Sequence, residues 1–101
     1  YNMAKAAHQM MVQSLAIELA PDIRVNGIAP GINILPMEGT EQALTAETID
    51  KICHAVPLKR IGTPQDIAQV AVFLAAAPYI TGQIIAVDGG RGLTLAGNES
   101  R

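Results

Sequence analysis

The sequence predicts an α/β fold, in which these residues supply only part of a layered domain of helices and sheet. Segments with the helical period alternate with short apolar strands, an order typical of helices packed on a parallel sheet. Half of the 101 residues are hydrophobic and only 16% are charged. Two short strands cannot form a stable sheet that buries so much apolar helix, so the missing strands must come from elsewhere. Tyr1 stands at the first turn of a predicted helix, and we expect the chain to be a fragment.

The first half of the chain predicts a helix, a strand and a long loop. Apolar residues recur at three- and four-residue steps over residues 2–20 with no Gly or Pro among them, which predicts a helix that ends at Pro21. Residues 23–28 alternate with β-branched side chains and predict a short strand. Pro30-Gly31 ends this strand, and residues 32–45 have no stable period and predict a loop.

Two further helices and one strand are predicted in the second half. Residues 46–56 have one apolar face and predict a short helix, which is followed by a connector over residues 57–62. Thr63 is a suitable helix cap, and Asp66 three residues later completes a pattern like a capping box, so a helix is expected over residues 64–77.

The last predicted strand covers residues 83–87, and Asp88-Gly89-Gly90 forms a turn that closes it. The sequence therefore predicts that the chain is one portion of a single domain. Residues 1–31 contain the first helix, strand and turn, residues 32–62 form the region of the substrate loop, and residues 63–93 contain the last helix and strand.

Composition and charge exclude several classes of protein. The net charge is −2 and no basic stripe is present, which argues against nucleic-acid binding. The longest apolar run, residues 70–78, is too short to cross a bilayer. A single cysteine, Cys53, excludes an internal disulfide framework and fits a reducing, cytoplasmic compartment. His8 and His54 have no second ligand at metal spacing, so no metal site is expected.

Tyr1 and Lys5 are the residues whose spacing points to chemistry. Four residues apart on a helix, their side chains lie on one face, one turn from each other. A phenol with a reference pKa of about 10 is a poor acid or base at neutral pH. A nearby ammonium lowers that pKa and suits tyrosine to proton transfer. By chance alone, however, this spacing more often brings a solvated lysine beside a partly buried tyrosine.

Several segments together closely resemble the short-chain dehydrogenase/reductase family. They are Tyr-Asn-Met-Ala-Lys at residues 1–5, Arg-Val-Asn-Gly-Ile-Ala-Pro-Gly at 24–31, Pro-Leu-Lys-Arg-Ile-Gly-Thr-Pro at 57–64, and Ile-Thr-Gly-Gln with Val-Asp-Gly-Gly within 80–90. The resemblance covers residues 1 to about 93, with the segments in the family's order. It implies a Rossmann-like, doubly wound parallel sheet and an oxidoreductase that uses a nicotinamide cofactor and a small-molecule substrate.

The resemblance also implies roles for particular residues. Tyr1 matches the catalytic tyrosine, and Lys5 the lysine that lowers its pKa and binds the nicotinamide ribose. Pro30-Gly31 matches a turn against the nicotinamide ring, and the backbone of Asn33 falls where the carboxamide is often bound. Asn26 is interpreted as structural. The implied cofactor-binding residues are Lys5, Pro30, Gly31, Ile32 and Asn33, and the implied substrate-binding residues are Tyr1, Gly31, Ile34 and Leu35.

Within the family, the chain is most similar to bacterial pteridine reductases, including the dihydromonapterin type. The similarity rests on the Met-Ala-Lys variant of the first helix, on residues 31–36 and on the ending at residues 87–93. Residues 35–38, Leu-Pro-Met-Glu, replace the Thr and Met of many 3-oxoacyl carrier-protein reductases. The resemblance thus implies NADPH-dependent reduction of C=N bonds in dihydropterin- or dihydrofolate-like substrates, with residues 32–45 as an apolar cover over the ring.

The family's glycine-rich phosphate turn does not occur in these residues, so we expect the isolated chain to bind cofactor poorly and to be inactive. Two alternatives stay open. One is a reductase of carbonyl compounds such as a 3-oxoacyl thioester or another ketone. The other is a non-catalytic scaffold, since the family usually forms homotetramers through such helices. The preference for NADPH over NADH is implied by the subfamily alone.

Overall fold

A computed structural model of the chain describes residues 2–31 and 45–94. The elements follow the predicted α/β order and are, along the chain, α1 (Asn2–Leu19), β1 (Gly27–Pro30), α2 (Ala46–Ala55), α3 (Pro64–Ala76), β2 (Ile84–Val87) and α4 (Arg91–Thr94).

The two strands form one parallel sheet. The backbone N–H of Gly27 donates to the carbonyl of Gln83 at 2.8 Å, and that of Gly31 donates to the carbonyl of Val87 at 3.0 Å. Both strands advance by four residues between these two bonds, and such a constant offset is found only in parallel pairing. The carboxyl ends of β1 and β2 therefore lie at the same edge of the sheet, where α/β proteins bind their ligands.

The chain divides into two compact units, each with its own small core. In the first unit, formed from Tyr1–Ala29 and Ala68–Ile85, Val12, Ala16 and Leu74 are buried. In the second, formed from Pro30–Ile67 and Ala86–Arg101, the buried residues are Val56 and Ile61. Much apolar surface of α1 stays exposed, including Met3 at 86% and Ile17 at 82%.

The start of α3 confirms one half of the predicted capping box: the Asp66 side chain reaches back to Thr63 N–H, but Asp66 N–H donates to the Thr63 carbonyl and the Thr63 hydroxyl acts as a donor. The Asp66 carboxylate accepts hydrogen bonds from the backbone N–H of Thr63 at 2.7 Å and from the Thr63 hydroxyl at 3.1 Å. The same carboxylate forms a two-pronged ion pair with Arg60, at 2.8 and 3.0 Å. The Arg60 hydrogen bonds, followed by the Thr63 N–H, hold the pKa of Asp66 well below its usual range. A negative charge in the first turn also complements the helix dipole.

The C-terminal end of α3 is held by a residue far away in the sequence. The Arg24 guanidinium donates to the carbonyls of Leu74 at 2.7 Å and Ala75 at 2.8 Å. These carbonyls belong to the last turn of the helix, where carbonyls lack the usual partner four residues on, and the Leu74 carbonyl also accepts Ala77 N–H at 3.4 Å. One planar cation thus satisfies two helix-end acceptors.

Two predictions about local structure are wrong. The first strand covers Gly27–Pro30 rather than residues 23–28, because the backbone of Val25 bonds to the turn before β2 instead of to the strand: its N–H donates to the Thr81 hydroxyl, and its carbonyl accepts from Gly82 N–H. The short helix α4, over Arg91–Thr94, was not expected. It forms because the Asp88 side chain accepts hydrogen bonds from the backbone N–H groups of its first turn and the residue before it.

None of the helices in the described part of the chain is both long enough and apolar enough to span a bilayer. Within residues 2–31 and 45–94, no three His, Cys, Asp or Glu side chains are grouped as metal ligands. Cys53 is half-buried on α2 and its thiol is free.

Candidate active site

Lys5 is the one predicted catalytic residue that the described structure contains. It lies at the N-terminal end of α1, which begins at Asn2, and the residue itself is exposed. Tyr1 lies outside the described residues. Because α1 is continuous from Asn2 to Leu19, Lys5 is held on a regular helix rather than on a loop. A helix fixes the direction of the side chain at its root.

The close packing of α1 on the strands is visible at Gly27. A Cβ at this position would lie 3.2 Å from Cγ1 of Ile84 and 3.4 Å from both Cε1 of His8 and Cγ2 of Val12. His8 follows Lys5 by about one helical turn, so Lys5 lies about one turn of α1 before the contact between α1 and the first strand. The contacts at Gly27 are all with side chains.

Asn26 ties together the two segments that precede the strands. Its amide nitrogen donates to the carbonyl of Ile80 at 2.9 Å, and its amide oxygen accepts from the backbone N–H of Gln83 at 3.0 Å. Both ends of the amide are therefore used by the backbone on the way into β2. This geometry agrees with the structural role that the sequence predicts for Asn26.

Pro30 and Gly31 lie in the second unit, at the carboxyl end of β1. Pro30 is exposed and ends the strand, as expected for a residue that cannot continue a ladder of hydrogen bonds. At Gly31 a Cβ would lie 2.6 Å from Cβ and 2.7 Å from Cα of Asp88. Only a residue without a side chain fits so close to another backbone. The sequence carries no signal of this contact between Gly31 and Asp88, which adds a structural role to the cofactor-binding role that the resemblance implies for Gly31.

The other predicted binding residues cannot be placed in this way. Ile32, Asn33, Ile34 and Leu35 lie outside the described residues, as does Tyr1. The predicted loop over residues 32–45 is described only at Thr45, whose hydroxyl oxygen accepts a hydrogen bond from Thr48 N–H and caps α2.

The second unit also has a concave surface next to the end of β2. It is a cavity of about 600 Å³ bounded by the connector after α2, by the Arg60–Asp66 pair and by the turn after β2. Its lining includes Val56, Pro57, Leu58, Val87, Asp88 and Leu93. Most of these side chains are apolar, and the ion pair is the only salt bridge formed by residues of this lining within the described structure.

A family comparison decides what these elements belong to. The family model described as enoyl-(acyl carrier protein) reductase matches residues 1–91. The chain belongs to the short-chain dehydrogenase/reductase family. This result confirms the resemblance carried by the four sequence segments, and the family accounts for the parallel order of β1 and β2.

Individual members of the short-chain dehydrogenase/reductase family resemble the chain along most of its length. A 7alpha-hydroxysteroid dehydrogenase from Escherichia coli K12 is 41% identical over 93 residues, which cover 89% of this chain and 36% of that protein. The crystal structure of a family member from Brucella melitensis, described as a glucose/ribitol dehydrogenase, has a TM-score of 0.75 at 43% identity and covers 90% of this chain and 37% of the other. The Pseudomonas aeruginosa RhlG/NADP active-site complex has a TM-score of 0.77 at 36% identity, covering 90% and 38%.

These matches confirm the Rossmann-like α/β fold. The chain spans a little over a third of the length of the relatives it matches. The relatives are named for steroid, sugar and NADP chemistry rather than for pterins, so the pteridine-reductase assignment stays a prediction.

Proposed function

We propose that the protein to which this chain belongs is an NADPH-dependent oxidoreductase that reduces a polarised double bond in a small molecule. The observation that carries the proposal is the i, i+4 spacing of Tyr1 and Lys5 in the sequence of a chain that belongs to the short-chain dehydrogenase/reductase family. Both residues of the proton-transfer pair are present, which a non-catalytic scaffold would not require.

The described residues suit the nicotinamide end of the cofactor. The Pro30-Gly31 turn offers a backbone without a bulky side chain for a flat ring. The role of Lys5 at the hydroxyls of the nicotinamide ribose is what the family resemblance implies. Pro30 and Gly31 lie where β1 ends, at the sheet edge that binds ligands in parallel α/β folds. A phosphate-binding glycine turn is not found in the 101 residues. The fit is therefore to one half of NADPH, and NADP in the Pseudomonas aeruginosa complex supports the choice of cofactor.

In the proposed mechanism, bound NADPH supplies the hydride. The Tyr1 hydroxyl donates a proton to the substrate oxygen or nitrogen as negative charge develops there. The Lys5 ammonium lowers the pKa of the Tyr1 phenol by stabilising the phenolate left behind, and it binds the ribose at the same time. In the reverse direction the phenolate accepts the proton from an alcohol.

A ketone, or its secondary alcohol, is the substrate class that the relatives favour. The Escherichia coli relative is named a hydroxysteroid dehydrogenase, and the Brucella melitensis relative a glucose/ribitol dehydrogenase. The family model is named for an enoyl-(acyl carrier protein), whose reducible group is a C=C bond rather than a ketone, so its name does not add to the support for ketones.

A dihydropterin- or dihydrofolate-like substrate is the second candidate. It is favoured by the resemblance of residues 31–36 and 87–93 to pteridine reductases and by the Leu-Pro-Met-Glu sequence at 35–38. A homotetramer in the cytoplasm is part of the same prediction. Loss of NADPH absorbance with dihydrobiopterin, dihydrofolate, an acetoacetyl thioester or a steroid ketone would separate the two classes.

The test of the mechanism is Tyr1→Phe in the full-length protein. We expect turnover to fall by about 10²–10⁴-fold, the usual contribution of a general acid, while NADPH affinity stays near that of the wild type. Lys5→Met should lower turnover and weaken NADPH binding together, because Lys5 serves both. Unchanged turnover in Tyr1→Phe would refute the proton-transfer role and favour the scaffold alternative.

A further inference from the structure

The turn after β2 packs directly against the turn that is proposed to face the nicotinamide. Gly31 N–H donates to the carbonyl of Val87, the residue before Asp88, at 3.0 Å. A Cβ on Gly31 would lie 2.6 Å from Cβ of Asp88 and 3.4 Å from its carbonyl oxygen. No side chain separates the two backbones, so the position of Gly31 follows that of Asp88.

Asp88 is itself held by its own side chain. One carboxylate oxygen accepts the backbone N–H of Gly90 at 2.9 Å, and the other accepts the N–H of Gly92 at 3.0 Å. The Asp88 carbonyl accepts from Arg91 N–H at 3.1 Å. A charged acceptor gives stronger hydrogen bonds than a neutral one, and both oxygens of this carboxylate are used to fold the backbone back on itself.

Gly89 and Gly90, the two glycines of the turn after β2, pack against the connector that follows α2. Gly89 and Gly90 have φ values of +64° and +91°, which few other residues adopt. A Cβ on Gly89 would lie 2.7 Å from Cγ1 of Val56, and one on Gly90 3.0 Å from Cγ of Pro57. Leu58 N–H donates to the carbonyl of Gly89 at 3.1 Å. The turn is thus in contact with Gly31 through Asp88 and with residues 56–58 through its glycines.

We propose that Asp88 is a positioning residue, whose carboxylate sets the place of the Gly31 backbone and through it the place of the nicotinamide ring. The inference rests on the proposed function, since it needs a cofactor against Pro30-Gly31. Asp88 does not touch the reacting atoms; it acts through the turn it folds. Hydride transfer is sensitive to displacements of this kind, because misplacing a reacting group by about 1 Å costs up to about 10²-fold in rate.

The test compares Asp88→Ala, Asp88→Asn and the matched control Asp66→Ala in the full-length enzyme. Asp88→Ala removes both acceptors, whereas Asp88→Asn keeps one oxygen for Gly90 N–H and loses the second acceptor. Asp66 is also a carboxylate that accepts a backbone N–H at a helix start, but its partners are Thr63 and Arg60. Loss of stability without any change at the nicotinamide end is expected for the control.

The decisive measurement separates the two ends of the cofactor. For Asp88→Ala we expect kcat to fall by roughly 10–100-fold and the Kd of NADPH to rise, while the Kd of adenosine 2′,5′-bisphosphate, which lacks the nicotinamide, stays unchanged. Asp88→Asn should fall between Asp88→Ala and the wild type, and its partial rescue keeps the test open if the alanine variant does not fold.

Each remaining outcome overturns the inference in a different way. Equal weakening of NADPH and of the bisphosphate would show general loss of structure, and wild-type values in both Asp88 variants would show that the carboxylate positions nothing. In either case an active wild-type enzyme leaves the proposed function standing. A wild-type protein that neither binds nor oxidises NADPH would overturn the proposed function and this inference with it.

Discussion

Replacing Gly31 by alanine should destabilise the protein, because the added Cβ has no space. It would lie 2.6 Å from Cβ and 2.7 Å from Cα of Asp88. Ordinary carbon contacts are about 3.5–4.0 Å, so the two backbones must separate by about 1 Å. Overpacking of this kind costs about 1–3 kcal/mol, and the lower chain entropy of unfolded alanine returns about 0.4–1 kcal/mol. The expected net loss in the free energy of unfolding is about 1–2 kcal/mol.

Gly27→Ala, at the start of β1, is the matched control for Gly31→Ala, which lies directly after the strand. Its Cβ would meet Cγ1 of Ile84 at 3.2 Å, which is the end of a side chain and can move by a few tenths of an ångström. We expect a net change near zero, because this small strain is offset by the entropy gain of a Gly-to-Ala change.

The assay is thermal unfolding of both variants in the full-length protein. A domain of about 150–250 residues loses about 2–4 °C in Tm per kcal/mol, so Gly31→Ala should lower Tm by roughly 2–8 °C and Gly27→Ala should not. Gly31→Ala should also lower turnover, as the Asp88 variants do. Equal Tm values for the two variants would refute the steric argument and, with it, the close approach of Gly31 to Asp88.

Three further predictions test contacts that hold the fold. Arg24→Met should lower the free energy of unfolding, measured in urea, by about 1.5–3 kcal/mol, because two carbonyls at the end of α3 lose their charged donor. Arg24→Lys should recover only part of this loss, and an Arg24→Met variant as stable as the wild type would contradict the role of Arg24. The wild type should lose stability as pH falls below about 4, because the pKa of Asp66 is lower in the folded than in the unfolded protein. Asp66→Asn should lack this part of the pH dependence, and equal slopes of unfolding free energy against pH in the two proteins would contradict the role of Asp66. Asn26→Ala should cost about 1–3 kcal/mol by the same assay, with Asn26→Asp also destabilised because it loses its donor to the Ile80 carbonyl; two wild-type-like variants would leave Asn26 without a structural role.

Features that depend on neighbours in the sequence were predicted well. The start of α3 needs only Thr63 and Asp66, three residues apart, and the bond from Thr63 N–H to the Asp66 carboxylate forms as the pattern indicates. The helix that carries Lys5 follows from its apolar period and ends within a residue of the predicted boundary. In such cases the hydrogen bonds and packing that decide the structure lie within one or two helical turns.

Features that depend on distant residues were missed. The start of β1 is set by Thr81 and Gly82, more than fifty residues from Val25, so the local alternation at residues 23–28 misplaced the strand. The helix α4 is four residues long and contains a glycine, and no periodic signal can arise from so short a segment. Its cause is the single carboxylate of Asp88, which the sequence analysis interpreted only as part of a turn.

Lys5 and Gly31, two described residues with implied roles in cofactor binding, are positioned by different interactions, and this difference predicts how each responds to substitution. Lys5 is exposed on a helix that forms from its own sequence, so its replacement mainly changes the charge presented to the cofactor. Gly31 is defined by the backbone of Asp88, so its replacement changes packing and cofactor position at once. A substitution at Lys5 is expected to lower turnover without lowering Tm, whereas a substitution at Gly31 is expected to lower both. Measuring turnover and Tm for both variants therefore tests whether Lys5 serves the chemistry alone and Gly31 serves both the chemistry and the fold.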